Sequence, residues 1–342
     1  MVRINNKKRK NSQSDSQQAD CSVVKKQCIT FKERARFHIA LSKVLRDFSD
    51  TQLYTVDVDV VSLAVRGNVK AMHVLAHCYI AGRCVKKDYK KSFSWLHKAA
   101  IAGYSFAQFD LACLYRDGLG VNVNLNVAFK WYLKAANLGH KEAFYSVARC
   151  YCFGLGTMQN SKQAFNWFLK SARQGDVVAQ NYIGRCYEQG SCVEKKPEQA
   201  FLWYKRAAHG GYIFSIYALA QCYAGGFGVK KNNEQAFRLY RASALLGHRR
   251  AMFILANFYA LGLGGIQRDD VNAFQWYRRA AEKGMPEAQF FLACCFYSGR
   301  GLEAKDVHKA FEWMVLSARS GYYKAQFNLA CYYRDGVGVS IN

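Results

Sequence analysis

The sequence predicts an all-α solenoid of about seven and a half helix-turn-helix repeats, and three observations predict it. Glycines stand at 67, 103, 139, 175, 211, 247, 284 and 321, five steps of 36 residues followed by two of 37. A fixed period of this length marks an array in which each unit is one supersecondary element stacked on the next. Within each unit, apolar and small residues recur at helical spacing. Finally, all six tryptophans (Trp95, Trp131, Trp167, Trp203, Trp276 and Trp313) occupy one position of the unit, with Leu239 standing in once.

Each unit reads as two helices. Counted from the small residue four places after the glycine, for example Ala107, apolar residues return at offsets 4, 5 and 8 (Leu111, Ala112, Tyr115). These offsets share one face of a helix. A Gly-x-Gly loop usually follows, as at Gly118 and Gly120, where glycine suits a helix exit that needs positive φ. A second amphipathic stretch, such as Ala128 to Ala136, then runs to the next repeat glycine. Its start is marked by Asp88, Asn124, Asn160, Asn232, Asp269 or Asp306, side chains that accept a hydrogen bond from a first-turn N–H. One unit has Lys196 there, followed by Pro197, and proline is tolerated at the first helical position.

Residues 1–30 are polar and basic, with Lys7, Lys8, Arg9 and Lys10 and then Lys25 and Lys26, and are expected to be a disordered tail. The cluster is either a solvated tail, a nuclear import signal or an electrostatic arm. From Phe31 to Phe48 an apolar stripe (Phe37, Leu41, Val44, Leu45, Phe48) predicts a helix, and residues 57–66 the end of a second one; together 31–66 form a degenerate cap. Full repeats follow at 67–102, 103–138, 139–174, 175–210, 211–246, 247–283 and 284–320, then a half repeat at 321–342. A solenoid ending on a first helix leaves it without its usual second neighbour, so either that helix is itself the cap or this end docks on another molecule, by self-association or partner contact.

The tryptophans are read as structural. A pair of short helices cannot bury such rings alone, so they serve as the glue between helices and between repeats.

The pattern Ala-x3-Leu-Ala-x2-Tyr-x2-Gly-x-Gly-Val, then Ala-x2-Trp-Tyr-x-Lys-Ala-Ala-x2-Gly, resembles the Sel-one-like repeat (SLR), a relative of the tetratricopeptide repeat, over residues 64–342. The resemblance implies a right-handed superhelix of antiparallel helix pairs acting as an adaptor or scaffold for protein complexes. Cysteine-rich relatives carry bridges between the two helices, but the corresponding positions here are Ala135, Ala136 and Ala143, so no disulfide framework transfers.

Composition bounds the rest. With 51% apolar and 15% aromatic residues the chain is not disordered as a whole. No apolar run reaches the length of a membrane helix, and Met1 to Gln18 lacks the apolar segment of a signal peptide. The expected location is cytoplasmic, with the nucleus as the alternative. Thirteen cysteines without an export signal point to reduced thiols. Cys78 with Cys84, and Cys186 with Cys192, are the two pairs close enough in sequence to leave a bridge open.

No phosphate loop, His-Glu-x2-His, Cys-x2-Cys or Gly-x-Ser-x-Gly motif occurs. His73, His77 and the other scattered histidines read as surface or packing residues, so no enzyme, cofactor or metal site is expected. Binding is argued from variation between repeats. Offsets 3, 6 and 10 of the first helix lie opposite its core face and, in tetratricopeptide-like arrays, line the concave groove. They differ from unit to unit, and Asp110, Arg149, Phe153, Tyr182, Arg185 and Gln221 are the candidate partner-binding residues. Neighbouring guanidinium and aromatic groups recognise carboxylates and extended peptides. Net charge is +25, part of it in a ladder three places after the tryptophan position, Lys98, Lys134, Lys170, Arg206 and Arg279, interrupted by Ala242 and Leu316. A solvated face is the plain reading; the rival is a footprint for nucleic acid or an acidic membrane. An unidentified protein or peptide partner is thus expected first, nucleic acid second.

Overall fold

The computed structural model describes residues 58–83 and 85–338. The basic tail, the helix expected before residue 57, Cys84 and residues 339–342 lie outside the described residues. Among the described residues there are sixteen helices and no strand. The chain divides into two compact units, Met1–His140 and Lys141–Asn342.

In the first unit a short helix, Val58–Val65, precedes two helix pairs, Val69–Ala81 with Tyr89–Ile101 and Ser105–Asp117 with Leu125–Asn137. Ala64, Ala71 and Leu75 close the short helix onto the first pair, with Trp95 against them. The next layer is Ala76, Leu96, Ala99, Ala107, Leu111 and Leu114, with Trp95 and Trp131 packed on it. Alanine at the seam lets helix backbones approach while the indoles fill the space between layers.

The second unit repeats this arrangement over eleven helices, from Lys141–Phe153 to Tyr323–Asp335. One of its cores joins Tyr240, Leu255, Trp276, Tyr277, Ala288 and Leu292 across consecutive pairs. Trp167, Trp203 and Trp276 are buried and Trp95, Trp131 and Trp313 half-buried, as residues that glue layers together should be.

Local chemistry sets the boundaries. The side chains of Asp88, Asn124, Asn160, Asn232, Asp269 and Asp306 each accept from the backbone N–H three residues on, at 2.8 to 3.0 Å. Lys196 makes no such bond, and Pro197 opens that helix instead. First helices gain caps not apparent in the repeat pattern, from Asn68, Asp176 and His248. The second loop glycine has a packing reason as well as a conformational one. A Cβ on Gly228, at φ +68, would stand 2.1 Å from the Pro197 carbonyl oxygen, and one on Gly120, at φ +73, 2.2 Å from that of Tyr89. The loop of one repeat therefore lies directly on the second helix of the repeat before it. Gln108, Gln180 and Gln289 add a recurring staple, each donating from Nε2 to the carbonyl eight residues back at the end of the preceding helix.

Candidate functional site

The residues expected to line a groove fall into two groups. In the second unit, Arg185 and Gln221 are exposed at the same position of consecutive first helices, and Phe153 is 44% exposed at the end of Lys141–Phe153. Arg149, one repeat before Arg185, is half-buried, with its guanidinium 6.0 Å from the centroid of the Tyr145 ring. Burial pulls its guanidinium below the usual arginine value, against the nearby Cys150 and Cys152. Tyr182 is also half-buried. Its ring lies 4.0 Å from that of Phe168, and its hydroxyl meets the Cys152 sulfur at 3.6 Å, next to Phe153. Arg149, Cys152 and Tyr182 thus form a group beside Phe153, part of it used to join repeats and its outer edge in solvent.

Asp110, in the first unit, is different. It was expected to face a groove, but it is buried. Its Oδ2 lies 2.6 Å from His73 Nε2 and 2.8 Å from His77 Nε2, and the two Nε2 atoms are 3.0 Å apart. Two histidines read from the sequence as isolated packing or surface residues therefore converge on a carboxylate one repeat away. His73 and His77 are four residues apart on Val69–Ala81, so they share a face; Asp110 comes from Ser105–Asp117. Burial would push the Asp110 carboxyl up, but the facing His77 and His73 rings more than offset it and hold it well below the usual carboxylate range. Burial is also the main influence on His73, and it lowers that imidazole against the Asp110 hydrogen bond. The wall is aromatic: Tyr104 lies 5.3 Å from the His73 ring, and Phe106 lies 6.3 Å from it and 4.8 Å from His140.

A signal for this cluster exists within the chain. The position of His73 holds Phe109, Tyr145, Tyr217, Phe253, Phe290 and Phe327 in six other repeats and Asn181 in one. A histidine among aromatics, with another one turn later, departs from the packing pattern.

The basic ladder is accounted for locally. Lys98, Lys134, Lys170, Arg206 and Arg279 each lie over the indole of the tryptophan three residues earlier, at 3.9 to 4.7 Å from the ring. Cys186 and Cys192 are free thiols, and burial with the neighbouring Cys192 pushes Cys186 up to about 12. No described helix is long and apolar enough to cross a membrane.

The Sel1 repeat matches eight times, at 69–104, 105–140, 142–176, 177–212, 213–248, 249–285, 286–322 and 324–342. The chain belongs to the Sel1 repeat family. Among solved structures, this Sel1 repeat protein is similar to c5321, a protective antigen of uropathogenic Escherichia coli strains with an SLR fold. Identity is 29% over 83% of this chain and 68% of that one, with a TM-score of 0.73. It is also similar to a Sel1 repeat protein from Oxalobacter formigenes, at 26% identity over 83% and 82% of the two chains, with a TM-score of 0.67. No curated protein matches it. Sel1 repeats generally serve as scaffolds for protein–protein interaction.

Proposed function

We propose that this Sel1 repeat protein is an adaptor that holds an acidic, extended segment of a partner protein on the first-helix face of its second unit. The observation that supports this reading is the exposure of Arg185, Gln221 and the Phe153 ring on first helices of this unit. They stand at positions where repeats with otherwise constant seams differ. Guanidinium and aromatic groups together provide a bidentate site for a carboxylate and an apolar surface for the chain that carries it. The net charge of +25 favours an acidic partner.

The test is crosslinking of the full chain to its partner, mapping of the bound segment, and titration of that segment as a synthetic peptide. Arg185→Glu and Phe153→Ser are each expected to weaken binding by about tenfold or more, whereas Lys162→Glu on a second helix leaves it unchanged. Arg149 is unsuited to charge reversal because its side chain is part of the packing. A bound segment without acidic residues, or equal affinity for all three variants, overturns this reading. So does binding that a DNA oligonucleotide of equal charge displaces and that falls equally for every basic residue removed, the behaviour of a non-specific polyanion site.

A further inference from the structure

We infer that His73, His77 and Asp110 form a divalent transition-metal site, a zinc clip that joins the first helix of one repeat to the first helix of the next. The geometry carries this. Three atoms able to ligate, two Nε2 and one carboxylate oxygen, stand at the corners of a triangle with sides of 2.6, 2.8 and 3.0 Å. Hydrogen bonds alone serve such a triangle poorly. If both imidazoles carry hydrogen on Nε2, both donate to one oxygen and the two N–H groups face each other across 3.0 Å. If one gives up that hydrogen, its lone pair faces the lone pairs of the carboxylate. While Asp110 is a carboxylate, every arrangement of the ring protons leaves one of the three contacts repulsive, in a buried place where such a contact is costly.

A cation on the axis of the triangle turns all three contacts into ligand bonds. Tetrahedral zinc holds its ligands at about 2.0 to 2.2 Å, which places them about 3.3 Å from one another, so the sides of the triangle need to open by about 0.3 to 0.7 Å. Two imidazoles and a carboxylate suit zinc and its first-row neighbours and leave a position for water. The repeat itself does not require them: packing is met elsewhere by Phe or Tyr at the position of His73, and by Phe291 or Tyr182 at that of Asp110. The carboxylate and the His77 ring keep 8% and 5% of their side-chain surface accessible, enough to expose the edge of the site to an arriving ion.

The test uses the full chain, stripped with a chelator and kept reduced, titrated with Co²⁺ while the visible spectrum is followed and with Zn²⁺ while thermal unfolding is followed. The expected result is one ion per chain, a Co²⁺ spectrum of nitrogen and oxygen ligation, and a rise in Tm with Zn²⁺. Asp110→Asn preserves shape, and His73→Phe installs the residue other repeats carry. Each should fold without metal, lower the affinity on the order of 100-fold, and lose the Zn²⁺-dependent rise in Tm. The proposal is overturned if the chain takes up no Co²⁺ or Zn²⁺ at large excess, if either variant binds as well as the parent, or if the spectrum shows thiolate-to-cobalt charge transfer. Failure of either variant to fold moves the comparison to His77→Gln, with the same criteria.

Discussion

The ammonium of Lys170 lies 3.9 Å from the centroid of the Trp167 indole, and the same pairing recurs with four other tryptophans. The cation covers the outer face of a ring whose inner face packs between layers. Lys170→Ala is expected to cost about 0.5 to 1 kcal/mol, the range of an exposed cation–π contact. Trp167→Ala removes the ring from the seam and should cost about 3 to 5 kcal/mol. In the Trp167→Ala background the Lys170→Ala change should become nearly neutral. Urea unfolding of the four chains measures both terms and their coupling.

The loop of one repeat rests on the second helix of the repeat before it only because Gly228 has no side chain. Gly228→Ala places a methyl 2.1 Å from the Pro197 carbonyl oxygen at a residue with φ +68. The expected destabilisation is at least about 2 kcal/mol, combining the cost of a left-handed alanine with overpacking. Gly211, with positive φ but open space around its Cβ position, should tolerate the same change at about 1 kcal/mol. Chemical denaturation separates the two effects.

The unit with Lys196 at the cap position lacks the side-chain bond its siblings make. Lys196→Asp is therefore expected to stabilise the protein by about 0.5 to 1 kcal/mol, and Asn160→Ala to destabilise it by about 1 kcal/mol. Opposite shifts of the unfolding midpoint check the pair; equal signs would show that the caps are not what ends these helices.

Acid should loosen the second unit through His248. Its Nδ1 accepts from the Ala251 N–H at 3.2 Å and its ring stacks on Tyr217 at 4.4 Å. Burial, followed by Arg250 and Arg249, lowers this imidazole to about 4. In the unfolded chain the group protonates near its ordinary value of about 6.5, so between these values the unfolded state binds more protons. The contribution is complete above about pH 6.5 and is lost as pH falls toward 4. Because the ring is partly open to solvent, the loss is expected to be about 1 to 2 kcal/mol. His248→Asn retains a cap acceptor and should flatten this part of the profile. Unfolding free energies of parent and variant at several pH values between neutrality and 4.5 test it.

How far the residues alone reach is clearest by comparing Asn232 with Asp110. Asn232 was recognisable because its task is local: a polar acceptor before an apolar-periodic run caps that run whatever lies beyond it. The same is true of the regular glycines and of the tryptophan in each unit. Asp110 was misplaced because helical periodicity reports which side of a helix meets its own partner in the hairpin. It does not report which side the neighbouring repeat covers. His248 as a cap was missed for a related reason, since its role depends on the ring orientation set by stacking on Tyr217.

The order of residues by itself determined the helices, their ends, the repeat length and the seam of alanine and indole, because each depends on chemistry within a few turns of chain. Only the tertiary structure decided that His73 and His77 meet Asp110, 37 and 33 residues away. It likewise decided which of the variable positions still face solvent. Those outcomes depend on how neighbouring helices are stacked and on where long side chains come to rest, and neither is encoded in the spacing along one helix.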